Sequence, residues 1–120
     1  MFGKRTKHDK TDNNRDILIK ISRQLEEVTR HLKLSQLSNG ILTFPYSEDD
    51  IQIALPQAHH DYVQKRILIL NTFYELGQLE AIKKAGIVSE RSAVLDIGSN
   101  IGNHAIFFGR ILGSGFITRT

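Results

Sequence analysis

Between Asp16 and Leu37 the apolar residues Leu18, Ile21, Leu25, Val28 and Leu32 recur at alternating spacings of three and four, which predicts one amphipathic helix over residues 16–38. Asp12 or Asn13 is placed to cap it, and Glu26 precedes Arg30 by one turn, the favourable order for an ion pair on an exposed face. The stripe is a heptad seam of barely two repeats, too short to be a stable coiled coil alone. It is expected to pack on the rest of the same chain. The alternative is self-association, or a partner helix, through residues 16–37. Ser38-Asn39-Gly40 then breaks the helix and marks a linker.

The period changes beyond that break. Ile41–Phe44 and Ile51–Leu55 alternate apolar with polar or small residues, and the turn formers Pro45-Tyr46-Ser47-Glu48-Asp49-Asp50 lie between them, so a β-hairpin is predicted. Residues 61–70 read as a helix. Residues 72–85 read as another, with Phe73, Leu76, Leu79 and Ile82 at helical spacing and Gly86 placed to end it. Gly77 weakens that second helix slightly.

The run Ser92-Ala93-Val94-Leu95-Asp96-Ile97 has the composition of a strand buried on both faces, as in parallel sheets covered by helices. Asp96 falls near the strand's carboxyl end, where open α/β sheets bind ligands; it is either a ligand-site acid or a strand-end turn former. Gly98 and Gly102 allow a tight turn and close approach of the main chain to a ligand. From Asn103, the residues Ile106, Phe107 and Ile111 suit an amphipathic helix whose free N–H groups point into the turn, with Gly113 and Gly115 ending it. Phe116-Ile117-Thr118 looks like the start of a second strand. The fold class implied is α/β.

Spacing rejects two phosphate loops. A dinucleotide fingerprint needs glycine at the first, third and sixth positions, where this chain has Gly98, Asn100 and Asn103. A P-loop needs four residues between its glycines and then lysine, whereas three separate Gly98 from Gly102 and Asn103 follows.

Leu95-Asp96-Ile97-Gly98-Ser99-Asn100-Ile101-Gly102-Asn103-His104 resembles the first cofactor motif of S-adenosylmethionine-dependent methyltransferases, and more narrowly the FkbM-type family. That family's version reads Asp-hydrophobic-Gly-Ala-Asn-hydrophobic-Gly, often followed by Asn-His; Ser99 in place of alanine is the departure. Upstream, Leu55-Pro56, Asp61-Tyr62-Val63-Gln64, Thr72-Phe73-Tyr74-Glu75 and Leu79 are similar to the segment preceding the cofactor strand, so the likeness covers roughly residues 50–118.

The resemblance implies the amino-terminal part of a Rossmann-like methyltransferase fold: long helix, β-hairpin, two helices, cofactor strand, glycine turn, helix and the beginning of a second strand. It implies S-adenosylmethionine as cofactor, held by Asp96, Gly98, Ser99, Asn100, Gly102, Asn103 and Glu75. Glu75 matches the family's Tyr-Glu pair, though an exposed helix glutamate is an equal reading. His104 is placed to touch a ligand or to serve as a partly buried hydrogen-bonding histidine. The implied activity is oxygen methylation of a sugar or related small metabolite. In the family, an acidic residue ending the second strand holds the ribose, and later strands carry the adenine contacts and the acceptor site. None of these precedes Thr120, so the chain is expected to be a fragment without turnover. The alternative function is a non-catalytic remnant or a helix-mediated interaction protein.

Composition narrows the partners. The 120 residues include no cysteine, which leaves no disulfide or cysteine-based metal site and is compatible with a reducing cytoplasm. No apolar run reaches membrane-helix length, and Met1-Phe2-Gly3-Lys4-Arg5 lacks the apolar region of a secretion signal. The net charge of +3 is already reached within the first ten residues, so the remainder is neutral. Residues 1–15 are therefore expected to be a basic, disordered tail rather than a nucleic-acid-binding arm. His59-His60 are adjacent and do not share one helix face, so no metal site is expected; no serine, histidine and acid arrangement suggests a hydrolase. The organisation expected is tail, helix 16–38, and an incomplete domain over 41–120.

Overall fold

The computed structural model describes residues 3 and 7–120 of the chain. It is a mixed α/β structure with two separate two-stranded sheets. In chain order the elements are α1 (Lys7–Gln36), β1 (Ile41–Tyr46), β2 (Asp49–Ala54), α2 (Tyr62–Leu70), α3 (Leu76–Ala85), β3 (Ala93–Asp96), α4 (Asn103–Ile106) running directly into a π-helical stretch (Phe107–Ile111), and β4 (Phe116–Arg119).

The expected hairpin is present. β1 and β2 pair antiparallel with Leu42 opposite Ile53 and Phe44 opposite Ile51, and these four side chains are buried while their strand neighbours face outward. The two-residue loop Ser47-Glu48 joins them, with Ser47 at φ 53, the positive first angle that primed hairpin turns share. Asp61 caps α2 by accepting from the Gln64 N–H at 2.9 Å. That helix turns Ile67 and Leu68 inward. The core closes on an aromatic cluster in which Phe73 lies 5.1 Å from Phe44 and 5.2 Å from Phe107, ring centre to ring centre, both edge to face. Tyr46 covers Phe73 and Phe107 at 5.5 and 5.6 Å, and its hydroxyl donates to Glu80.

Three expectations are corrected. First, α1 begins at Lys7, so residues 7–15, expected as disordered tail, are helical; Asp9 in the first turn suits the positive end of the helix. Of that tail, residues 1–2 and 4–6 lie outside the described residues. Second, the apolar stripe of α1 does not pack on the chain: Leu18, Leu25 and Leu32 remain 61–66% exposed, Val28 56% and Ile21 45%. The helix is held instead through its last turns. Lys33 Nζ donates to the Ile69 carbonyl at 2.7 Å, with burial pulling its pKa down; Arg30 reaches the His59 carbonyl, and Leu34 and Leu37 rest on the core. Third, the helix expected over 72–85 starts only at Leu76. Phe73 is drawn into the aromatic cluster, and Glu75 sits in the left-handed region at φ 57, which no helix interior accommodates.

A further difference concerns β3. It was expected to be buried on both faces, but Leu95 is 59% and Ile97 77% exposed. β3 pairs with β4 alone, and the helical stretch after the glycine turn packs against only part of this narrow sheet.

Candidate functional site

β3 and β4 run parallel, in register from Ala93 opposite Phe116 to Asp96 opposite Arg119. The connection between them passes through the glycine turn, α4 and the π-helical stretch, a strand–helix–strand crossover. After Asp96 the main chain takes left-handed angles at Gly98 (φ 69), Asn100 (φ 50) and Gly102 (φ 82). Asparagine is among the few side-chain-bearing residues enriched there, which accounts for its place between the glycines. At Gly102 a Cβ would also collide with the Arg119 guanidinium.

Asp96 is buried, and its Oδ2 has no hydrogen-bond partner among the described residues. Its carbonyl is engaged, accepting from the Thr120 N–H at 3.1 Å. Thr120 also occupies donors of the turn: the Ser99 N–H donates to its carbonyl oxygen at 3.1 Å and the Gly98 N–H to its hydroxyl at 3.2 Å. The turn is thus closed over the end of β4, and beneath it lies the buried Asp96 Oδ2 without a partner among the described residues.

Asn103 begins α4, is 5% exposed, and spends its amide on the main chain of Tyr74. Its Oδ1 accepts from the Tyr74 N–H at 2.9 Å and its Nδ2 donates to the Tyr74 carbonyl at 3.0 Å. Next to it, His104 Nε2 lies 3.2 Å from Glu75 Oε2, both half-exposed. Glu75 is therefore not a free helix glutamate but one half of a tether between the 72–75 segment and α4.

A cleft of about 210 Å³ opens over the turn, lined by Val63, Tyr74, Gly98, Ser99, Asn100, Ile101, Asn103 and His104. Of the residues singled out in the sequence, it brings together Gly98, Ser99, Asn100, Asn103 and His104. Asp96, Gly102 and Glu75 do not line it: the first two belong to the same turn, and Glu75 reaches its rim through His104. Val63 and Tyr74 were not assigned to the site from the sequence. Both lie within the upstream stretches, around Asp61 and Glu75, that accompany the motif. A larger concavity of about 430 Å³ lies apart, between the outer side of the hairpin at Thr43 and Gln52 and Arg110.

Among the described residues no group of three or more histidine, aspartate or glutamate side chains is arranged to hold a metal ion, and no helix is long and apolar enough to cross a membrane. His59 and His60 pack ring against ring, 4.0 Å between centres, rather than converging on a point. Comparison with protein-family models, with curated proteins and with solved structures finds no match to this chain.

Proposed function

We propose that the β3–glycine turn–α4 unit is the cofactor cradle of an S-adenosylmethionine-dependent methyltransferase domain of the FkbM type, built on a Rossmann-like plan. The observation that carries this reading is the Asp96 carboxylate, buried and with one oxygen unpartnered at the carboxyl end of a parallel strand. An unmet buried acceptor costs about 1–3 kcal/mol, more for a charged group, and native folds retain such groups where a ligand completes them. An ammonium group satisfies that oxygen in charge, and a bridging water completes the hydrogen bonding between them.

The size of the cleft limits which part of the cofactor this chain encloses. Pockets for whole small molecules run from about 300 to 1,000 Å³. At about 210 Å³, the space over Gly98–Ile101 suits the amino-acid end alone. In this reading the left-handed turn lets the main chain approach the amino-acid end directly, Asp96 acts on the ammonium from beneath the turn through a bridging water, since it does not line the cleft, and Asn103 positions α4 by holding Tyr74. His104 and Glu75 border the open side. When bound, the cofactor supplies a methyl group on sulfonium sulfur for in-line transfer to an acceptor oxygen. The acceptor class proposed is a hydroxyl of a sugar or related small metabolite.

Calorimetric titration of the purified chain with S-adenosylmethionine tests the proposal, with Gly98→Val as the control because a β-branched residue is strained at φ 69. Saturable binding that Gly98→Val abolishes is expected. A folded chain that takes up no cofactor would overturn the reading.

A further inference from the structure

Val63 and Tyr74, together with Ile101, give the cleft over the glycine turn its apolar side. All three are partly buried against the hydrophobic core, so that side is a fixed wall rather than a mobile flap. Tyr74 is the most constrained of them. Its N–H and carbonyl are both engaged by the Asn103 amide, at 2.9 and 3.0 Å, and the next residue, Glu75, holds a left-handed φ of 57. Its ring stands edge to face with that of Tyr62, 6.5 Å between centres. A side chain tied at its main chain and braced at its ring loses little further freedom when a ligand arrives.

An electron-rich ring in such a wall sorts ligands by charge. The face of a tyrosine ring attracts a cation within about 6 Å of its centre. A cleft of about 210 Å³ averages roughly that width, so a cation seated on the turn stays in range of the Tyr74 ring. In S-adenosylmethionine only a short methylene stem separates the amino-acid carbon from the sulfonium sulfur. Seating the ammonium end on the turn therefore brings a second positive centre beside the apolar side of the cleft. After methyl transfer the S–C electron pair has returned to sulfur, and that centre is a neutral thioether.

Resting on the cofactor reading above, we infer that Tyr74 is a specificity-determining residue whose ring recognises the sulfonium, so that the methyl-bearing cofactor is held in preference to its demethylated product. Two acids also face this region: Asp96 from beneath the turn and Glu75 from the rim, where it is paired with His104. Their pull on the ammonium is common to cofactor and product, which both carry that group. What differs between the two ligands is the charge and methyl group at sulfur, and the Tyr74 ring answers to the charge. Weaker hold on the thioether form favours its departure after transfer.

Calorimetric titration of the wild-type chain with S-adenosylmethionine and with S-adenosylhomocysteine is expected to show roughly three- to tenfold tighter binding of the first, the range a partly exposed cation–ring contact supplies. Tyr74→Leu is expected to lose most of that preference through weaker binding of S-adenosylmethionine alone, whereas Tyr74→Phe keeps it. Fluorinated phenylalanines at position 74 hold the ring's shape while withdrawing charge from its face, so the fold is spared and the preference should fall stepwise with added fluorine. A wild type that takes up both ligands with equal affinity overturns the inference and leaves the cofactor reading standing. A preference that survives Tyr74→Leu or full fluorination overturns it likewise. A folded wild type that binds neither ligand defeats the cofactor reading itself, and the inference with it.

Discussion

The side-chain amide of Asn103 and the main chain of Tyr74, 29 residues apart, exchange two hydrogen bonds of 2.9 and 3.0 Å. Through them the first turn of α4 is clamped to the segment that leads into α3. The neighbouring contact of His104 with Glu75 repeats the connection at the surface. The geometry of the glycine turn is thus fixed from both sides: by β4 and Thr120 at one end, and by the Tyr74 segment at the other.

Asn103→Leu removes both bonds and leaves the Tyr74 N–H and carbonyl without partners in a partly buried place. The expected cost is about 2–4 kcal/mol, read as a lower urea midpoint. Asn103→Asp keeps an acceptor for the Tyr74 N–H but turns a second acceptor towards the Tyr74 carbonyl, and it too is expected to destabilise. Stability equal to wild type in both variants would show that the clamp contributes nothing.

Asp96→Asn separates function from stability at the proposed site. The substitution keeps the shape and removes a buried charge with an unmet oxygen, so the chain is expected to hold its stability or gain about 1 kcal/mol. Calorimetry should show cofactor binding lost. A clear fall in the urea midpoint would instead mark the carboxylate as part of the turn's own structure.

The parts of the fold legible in the sequence are those set by local chemistry. Period-two alternation placed Leu42, Phe44, Ile51 and Ile53 on one face of a hairpin, the helix expected over 61–70 is present from Tyr62 to Leu70, and Gly98 and Gly102 marked the tight turn in which both take left-handed angles. What escaped depends on distant partners. Phe73 fits a helical period, yet the pull of Phe44 and Phe107 takes it out of the helix. The stripe of α1 reads the same whether it packs on its own chain or on another. Asn103 reads as a ligand residue beside the turn, and only its contact with Tyr74 shows that its amide is already spent.

Tyr46 makes stability depend on alkaline pH. Burial, and then the hydrogen bond to Glu80, push its hydroxyl from the ordinary 10.0 up to about 12. The folded state therefore holds the proton more tightly than the unfolded chain. The resulting stabilisation is fully present below pH 10.0 and is lost as pH rises through about 12. Urea midpoints across that interval should fall for the wild type, and more gently for Tyr46→Phe, which has no proton to lose. Parallel curves for the two proteins would remove Tyr46 as the cause.

Gly115 stands where the chain returns towards β4, and a Cβ there would run into the carbonyl oxygen of Glu90. That neighbour is backbone, in the loop leading into β3, so it cannot rotate away as a side chain would. Gly115→Ala is therefore expected to push β3 and β4 apart at their start, near the Ala93–Phe116 pair, at a cost of about 1–3 kcal/mol. Hydrogen exchange locates the effect: faster exchange confined to the β3 and β4 amides, with the β1–β2 hairpin unchanged, is the expected pattern. Unaltered exchange in β3 and β4 would mean that the loop at Glu90 moves freely and that the close approach sets no limit on residue size.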